Sequence, residues 1–241
     1  MGLNGDAKPL EFRYVFAFDN GETKEFRVVL DGSTMDYREP QCPDPPEWTR
    51  LEFSQCSNCP LSGVERCPVA LNLSTVTREF EHTKSFTDAR VTVYSPERTY
   101  EKSTSVQRGL SAIAGIIMAT SGCPILDRLR PNVAFHLPFA TPLETSYRSV
   151  SMYLTAQAIR KMHGEEPDWE MAGLTQIYED VSKVNKGIAN RLRDASGTDS
   201  GANAVVILHA FGDFVSIMIE TRLEEFEKIF FPLMHPPKKD R

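Results

Sequence analysis

Three of the chain's five cysteines fall within twelve residues, in the pattern Cys56-x2-Cys59-x7-Cys67. They lie in a segment, residues 36–70, that contains six prolines and little hydrophobic periodicity, which excludes a long helix there. Two intervening residues allow the thiolates of Cys56 and Cys59 to reach one ion from a single turn, and Cys67 follows closely enough to return to it. Because zinc and iron–sulfur clusters are commonly held by four thiolates, the spacing predicts a metal site that needs one further ligand.

The candidates for the fourth ligand are Cys42, Cys123 and a histidine. We favour Cys123 because Cys67 and Cys123 each precede a proline and then a helix-compatible run. Proline is favoured at the first helical position, so each cysteine would be an N-cap, where backbone N–H groups and the helix dipole lower a thiol pKa. Cys42 is followed by Pro-Asp-Pro-Pro and has no helix to cap. The predicted ligands are therefore Cys56, Cys59, Cys67 and Cys123, and the ion would join the irregular segment to the helices.

The spacing leaves the metal open. We expect Zn²⁺, with an iron–sulfur cluster as the alternative, because four of the five cysteines precede proline, as ligands of such clusters often do. A third interpretation is that these are ordinary reduced thiols, since cysteine is among the most frequently buried residues.

The first elements of the chain are predicted to be strands. Apolar residues alternate on both sides of Asp19-Asn20-Gly21, so the register must place both apolar sets on one face. A three-residue loop with Gly21 left-handed does this by setting Tyr14 opposite Phe26 and Phe12 opposite Val28. A second pair of strands is predicted at residues 89–94 and 98–102.

Helical periodicity dominates the rest of the chain. A helix is predicted from Pro68 to about Glu81, and four more follow at about 104–121, 141–163, 168–195 and 201–229. The fold class is therefore α+β: a small N-terminal antiparallel sheet with a Cys-rich metal-binding segment, followed by a C-terminal helical bundle. We divide the chain at residues 1–102 and 103–241 and expect the two parts to pack as one compact unit.

Composition excludes several classes of function. The net charge of −6, with no concentrated basic face, argues against a nucleic-acid partner. The longest mostly apolar run, residues 109–119, is about half of a membrane span, and no signal peptide is evident. We therefore expect a cytoplasmic protein without a membrane partner, which binds another protein or forms a homo-oligomer.

Two residues are candidates for a catalytic or binding site. His136 lies in an irregular apolar segment and has three candidate roles: metal ligand, general base or hydrogen-bonded interior histidine. The interior histidine is the preferred interpretation. Arg148 follows Glu144 by one helical turn, which favours an intrahelical ion pair over a substrate-binding role. Four further polar side chains lie on the last two predicted helices: Glu179, Asp180, His209 and Asp213. A di-metal site between facing helices needs Glu-x-x-His pairs, and the sequence has none, so we interpret these four as polar core residues.

Four short motifs occur together in this chain: PEWTRLEF at 46–53, CPL with CPVA at 59–61 and 67–70, SGCP at 121–124, and FHLPFA at 135–140. As a set they resemble a bacterial domain family of unknown function. The resemblance implies that Cys56, Cys59, Cys67 and Cys123 belong to one motif set and that Cys42 lies outside it. It implies no substrate.

We therefore expect a non-catalytic interaction or regulatory module with a structural zinc site, with an iron–sulfur redox or sensor protein as the alternative. A third hypothesis is an enzyme that uses a concave site around His136 and Arg148.

Overall fold

Four antiparallel strands form one sheet, in the order β2-β1-β3-β4. Their bounds are β1 Leu10–Ala17, β2 Thr23–Leu30, β3 Asp88–Tyr94 and β4 Thr99–Ser105. The structure is a computed structural model that describes residues 8–38, 42, 44–195, 212–213, 215–217, 219–221 and 223–235. Both predicted strand pairs are present, and the first pair joins the second through β1 and β3.

The register of the first hairpin agrees with the prediction. Tyr14 pairs with Phe26 and Phe12 with Val28, as the shared apolar face requires. The Phe18 N–H donates to the Glu22 carbonyl at 2.9 Å, and Gly21 has φ of 85°. The turn therefore contains the three residues between Phe18 and Glu22, with its left-handed position filled by glycine.

Four of the five predicted helices have bounds close to those predicted. The described helices are α1 Pro68–Glu79, α2 Val106–Thr120, α3 Arg130–Ala134, α4 Pro142–Met162, α5 Ala172–Ala195 and α6 Glu224–Met234, with 3₁₀ turns at Glu47–Thr49 and Leu126–Leu129. The α+β fold class is confirmed. The helix-compatible run after Cys123 forms the 3₁₀ turn at Leu126–Leu129, and its N-cap residue is Ile125, so the prediction of Cys123 as the N-cap is wrong. The five-residue α3 is too short to give a periodic signal, and the sequence did not predict it.

The hydrophobic core lies between one face of the sheet and the helices. In β1, Phe12, Tyr14 and Phe16 are buried, and eleven residues of α2 are buried as well. Gly109 allows the close approach of these two layers, because a Cβ there would overlap the ring of Phe16. One cluster of buried side chains includes residues of the sheet, of α1 and α2, and of α5. The division at residues 102 and 103 stays a prediction.

Local hydrogen bonds decide where the two longest helices begin. Thr141 and Glu144 form both hydrogen bonds of a capping box, as predicted, so α4 begins at Pro142. The predicted start of α5 at residue 168 is wrong by four residues. Met171 has φ of 60°, which a helix does not allow, and Asp168 instead accepts a hydrogen bond from the Gly173 N–H at 2.7 Å.

The last predicted helix, at 201–229, is interrupted. Its residues 201–211 lie outside the described part of the chain. Leu223, with φ of 63°, ends the helical geometry, and α6 begins at Glu224 with three glutamates in its first turn. Those carboxylates favour a helix start, because they complement the positive end of the helix dipole. None of the described helices is long and apolar enough to cross a membrane.

Candidate functional site

The four cysteines of the predicted site come from three separate parts of the chain. Cys56 and Cys59 lie in one turn, in which the Cys59 N–H donates to the Cys56 carbonyl at 3.0 Å. Cys67 is the N-cap residue of α1, as predicted, and is buried. Cys123 is also buried and follows the end of α2. The turn, the start of α1 and the end of α2 therefore each contribute to this region.

Electrostatic interactions show that these thiols are neighbours. Burial raises the pKa of Cys56 to about 12, and charges on Cys67, Cys59 and Cys123 would raise it further. The five cysteines are all free thiols. Cys42 has different neighbours: its Sγ donates to the Asp44 carbonyl, and the Arg78 guanidinium lies 3.1 Å from it. We use the name thiol cluster for Cys56, Cys59, Cys67 and Cys123.

The thiol cluster does not have the geometry of an assembled metal site. Within the described residues, no group of three or more histidine, cysteine, aspartate or glutamate side chains is arranged to hold a metal ion. The neighbouring thiols fit a metal by their chemistry, since four sulfur ligands suit zinc or iron. The metal itself stays a prediction.

The expectation of a lowered Cys123 pKa is wrong. The backbone N–H groups of Leu126 and Ile125 do lower its pKa, as the helix-cap argument requires. Burial has the larger effect, however, and the net result is a raised pKa. A thiol in this environment stays protonated at neutral pH unless a nearby positive charge or a metal compensates for burial.

A buried arginine lies beside the thiol cluster. Arg191 of α5 is 1% exposed, and its guanidinium donates to the backbone carbonyls of Trp48, Arg50 and Leu51. It forms no ion pair with any residue that the structure describes. Its positive charge lowers the pKa of Cys56, against the larger effect of burial. Arg191 thus fixes the segment before the first two cysteines on α5 and supplies a positive charge next to them.

Sequence reasoning missed Arg191, although a signal was available. The apolar stripe of α5 includes Val184 and Ile188, and Arg191 follows them by seven and three residues. Those intervals place the arginine on the buried face of the helix. A charged residue at such a position needs partners in the interior, and here they are backbone carbonyls.

Close packing also fixes Cys56 on α5. A Cβ on Gly187 would lie 2.7 Å from the Cys56 Sγ and 3.2 Å from its Cα. The Cys56 thiol in turn lies 3.8 Å from the Val184 carbonyl, to which it donates a hydrogen bond. Glycine at position 187 therefore lets the first cysteine of the cluster contact the helix directly.

A separate cavity of about 170 Å³ lies between β4, α2, α4 and α5. Its lining is largely apolar and includes His136 and Arg148, the two residues that the sequence analysis named as candidates. Lys102 and Arg108 also line it and are exposed. The concave site that the third hypothesis requires is therefore present.

His136 is a hydrogen-bonded histidine at the wall of this cavity. Its Nε2 lies 2.6 Å from the hydroxyl of the fully buried Tyr14, and its ring packs edge-on against Phe12 at 5.1 Å between centroids. Burial, with the nearby charge of Arg148, lowers its pKa to about 3. The ring is therefore neutral at physiological pH.

The predicted ion pair of Arg148 with Glu144 is not formed. The Glu144 carboxylate accepts the Thr141 N–H at 2.7 Å in the capping box. Arg148 instead donates from Nη2 to the Asn132 carbonyl at 2.6 Å, and its buried Nε has no hydrogen-bond partner in the described part of the chain. It has no ion pair with any described residue, and burial lowers its pKa.

The acidic residues Glu179, Asp180 and Asp213 are not core residues. Glu179 and Asp213 are exposed, and Asp180 forms an ion pair with Arg128 at 2.9 Å. The interpretation as polar core residues is wrong for these three, and His209 lies outside the described residues.

The fold and the site define an α+β protein with a thiol cluster, formed by the turn at Cys56–Cys59, the start of α1 and the end of α2, and a separate, largely apolar cavity. The chain belongs to the family described as a domain of unknown function (DUF6901), whose model matches residues 12–231. The expectation of a family of unknown function is confirmed. Searches of curated proteins and of solved structures gave no match to the chain.

Proposed function

We propose that this protein is a non-catalytic interaction or regulatory module in which Cys56, Cys59, Cys67 and Cys123 bind one structural zinc ion. The observation that carries the proposal is that Cys59, Cys67, Cys123 and Arg191 all lie close enough to Cys56 to act on its pKa. Arg191 is a buried cation without a carboxylate partner among the described residues. Four thiolates around a divalent cation leave two negative charges, and a nearby buried guanidinium compensates part of that charge.

Burial of the thiols gives the metal a physical role. The raised pKa values of Cys56 and Cys123 mean that both are protonated at neutral pH in the metal-free protein. Metal binding releases those protons, and the metal–sulfur bonds then compensate for burying thiolates. We expect small movements of the side chains to bring the sulfur atoms to about 2.3 Å from the metal.

A structural role fits the places from which the ligands come. Cys56 and Cys59 belong to a proline-rich segment, residues 44–67, that contains only one short 3₁₀ turn. Cys67 is the N-cap residue of α1, and Cys123 follows α2, of which eleven residues are buried. One ion at this point would fasten an irregular segment to the core, as structural zinc sites commonly do.

Variants of single cysteines test the assignment. Cys123→Ser is expected to lose the metal from protein purified without air and to unfold at lower denaturant concentration. Cys42→Ser is the matched control, because Cys42 lies outside the thiol cluster, and it is expected to keep the metal and the stability of the wild type. A chelator should destabilise the wild type and leave Cys123→Ser unchanged, which separates metal loss from misfolding.

Retention of the metal by Cys123→Ser would remove that cysteine from the ligand set. If the wild type contains iron and acid-labile sulfide, the site holds an iron–sulfur cluster and the choice of zinc is wrong. Equal stability of the wild type with and without chelator, together with no bound metal, would leave four ordinary buried thiols and overturn the proposal.

The interaction part of the proposal rests on α6. Phe226 and Phe230 pack on Tyr147 of α4, whereas four large apolar side chains of α6 remain between 53% and 78% exposed: Ile229, Phe231, Leu233 and Met234. Adjacent exposed apolar side chains are typical of protein interfaces. Sedimentation of the wild type and of Phe231→Ser tests for a second copy. A wild type that stays monomeric at every concentration excludes the homo-oligomer and leaves another protein as the partner.

A further inference from the structure

We propose that the cavity between β4, α2, α4 and α5 binds a small apolar carboxylate, such as an aromatic acid, with the carboxylate on Arg148. The inference does not depend on the metal, because the cavity and the thiol cluster share no residue.

The charge pattern of the cavity selects an anion. Lys102, Arg108 and Arg148 line it, and no aspartate or glutamate is among the described residues of its lining. The nearby carboxylate of Glu144 accepts the Thr141 N–H in the capping box of α4, whereas the Thr141 hydroxyl accepts the Glu144 backbone N–H. The charges of Lys102 and Arg148 act on this carboxylate without forming an ion pair with it. A ligand carboxylate would therefore meet three positive charges against the one nearby carboxylate of Glu144, which is not among the described lining residues.

Arg148 has the donor that such a ligand needs. One guanidinium nitrogen, Nη2, already donates to the Asn132 carbonyl, which holds the side chain in place. Its Nε is buried and has no hydrogen-bond partner among the described residues, and a shift of the side chain toward the cavity would bring this N–H to a ligand. A buried polar atom without a partner is costly, so a ligand that accepts from this N–H removes the cost. Carboxylates bind the planar guanidinium through two parallel hydrogen bonds, a geometry that lysine does not offer.

The size and lining of the cavity restrict the rest of the ligand. A cavity of about 150 Å³ lined by apolar side chains accommodates benzene, and this one measures about 170 Å³. Its walls include Ala112, Ile116, Leu129 and Val181. A ring of benzene size, or a short branched chain, fills such a space, whereas inorganic phosphate would leave the apolar walls without a partner.

His136 sets the expected pH dependence. Among the described residues, the titratable and charged groups that face the cavity are Lys102, Arg108, His136, Arg148 and Tyr178, and the carboxylate of Glu144 lies near two of these cations. His136 is neutral at physiological pH, so the three cations alone attract the anion. Binding should therefore stay constant from about pH 6 to pH 9 and decline only near pH 4, where the ligand carboxyl becomes protonated.

Titration calorimetry with benzoate, benzamide and inorganic phosphate tests the proposal. Benzoate should bind the wild type with a Kd on the order of 1 mM or below, and benzamide, its neutral counterpart, at least about tenfold more weakly. Arg148→Met should weaken benzoate by about tenfold or more and leave benzamide unchanged or slightly tighter. Arg160→Met is the matched control, because Arg160 lies on the same helix outside the cavity, paired with Glu165. It should bind benzoate as the wild type does.

A second variant tests the location independently of charge. Ala112→Phe places a ring inside the cavity and should abolish binding of both benzoate and benzamide. Unfolding curves of each variant show whether it is folded, and benzamide binding shows whether the cavity of Arg148→Met is intact. Equal benzoate binding by the wild type and Arg148→Met, equal binding of benzoate and phosphate, or no saturable binding of benzoate would overturn the proposal.

Discussion

The contact between Gly187 and Cys56 gives a quantitative prediction for Gly187→Ala. The new Cβ would lie 2.7 Å from the Cys56 Sγ, about 1 Å inside ordinary van der Waals separation, and 3.2 Å from the Cys56 Cα. Overpacking of this kind costs about 1–3 kcal/mol, and the backbone contact favours the upper half of that range because a Cα cannot rotate away. Alanine recovers about 0.8–1 kcal/mol of helix propensity relative to glycine. The net loss is about 1–2 kcal/mol, which lowers Tm by about 2–8 °C.

Urea denaturation followed by circular dichroism measures this loss. Lys186→Ala, at the exposed neighbouring position, is the control and should change stability by no more than about 0.5 kcal/mol. In a Cys56→Ala background the contact with the sulfur is absent, so Gly187→Ala should lower the free energy of unfolding by less than it does in the wild type. The double-mutant cycle should give a coupling energy of about 0.5 kcal/mol or more. The reasoning is refuted if Gly187→Ala is as stable as the wild type, or if its cost is the same with and without the Cys56 sulfur.

Three further predictions concern the scaffold and the cavity wall. Thr141→Ala removes the N-cap of α4 and should cost about 0.5–2 kcal/mol in denaturant unfolding, whereas Thr155→Ala on the same helix should cost less. His136 has a pKa of about 3 in the folded protein, below the ordinary value of 6.5, so the unfolded chain binds its proton first. The contribution of His136 to the free energy of unfolding is therefore complete above about pH 6.5. It is lost at up to about 1.4 kcal/mol per pH unit as the pH falls from 6.5 toward 3. In the folded protein, the NMR signals of the His136 ring should show no titration near pH 6.5. Arg191→Met leaves three backbone carbonyls without their donor and should cost about 3 kcal/mol or more, and a smaller loss in thermal unfolding would contradict that role.

The fold was largely predictable because its signals are local. Strict alternation and one glycine turn determined the register of the first hairpin, and the capping box gave the start of α4. The start of α5 was not predictable, because the left-handed Met171 and the hydrogen bonds to Asp168 depend on tertiary packing. The break at Leu223 likewise has no glycine or proline to mark it.

The candidate site was predictable only in part. Spacing indicated Cys56, Cys59 and Cys67 as one group, and the proline after Cys123 suggested a neighbour. The opposing effect of burial on Cys123 could not be read from sequence, because it depends on how completely surrounding elements cover the sulfur. The roles of Arg148 and Arg191 depend on carbonyls 16 and about 140 residues away in the chain, which no local pattern contains.

Metal analysis of wild-type protein, purified without air and without added metal, tests the central claim most directly. The proposal predicts about one zinc ion per chain, no iron and no absorption near 400 nm. A brown protein with iron and absorption in that region would contradict the choice of zinc. Protein that contains neither metal, and whose four clustered thiols react as free thiols after unfolding, would contradict the metal site altogether.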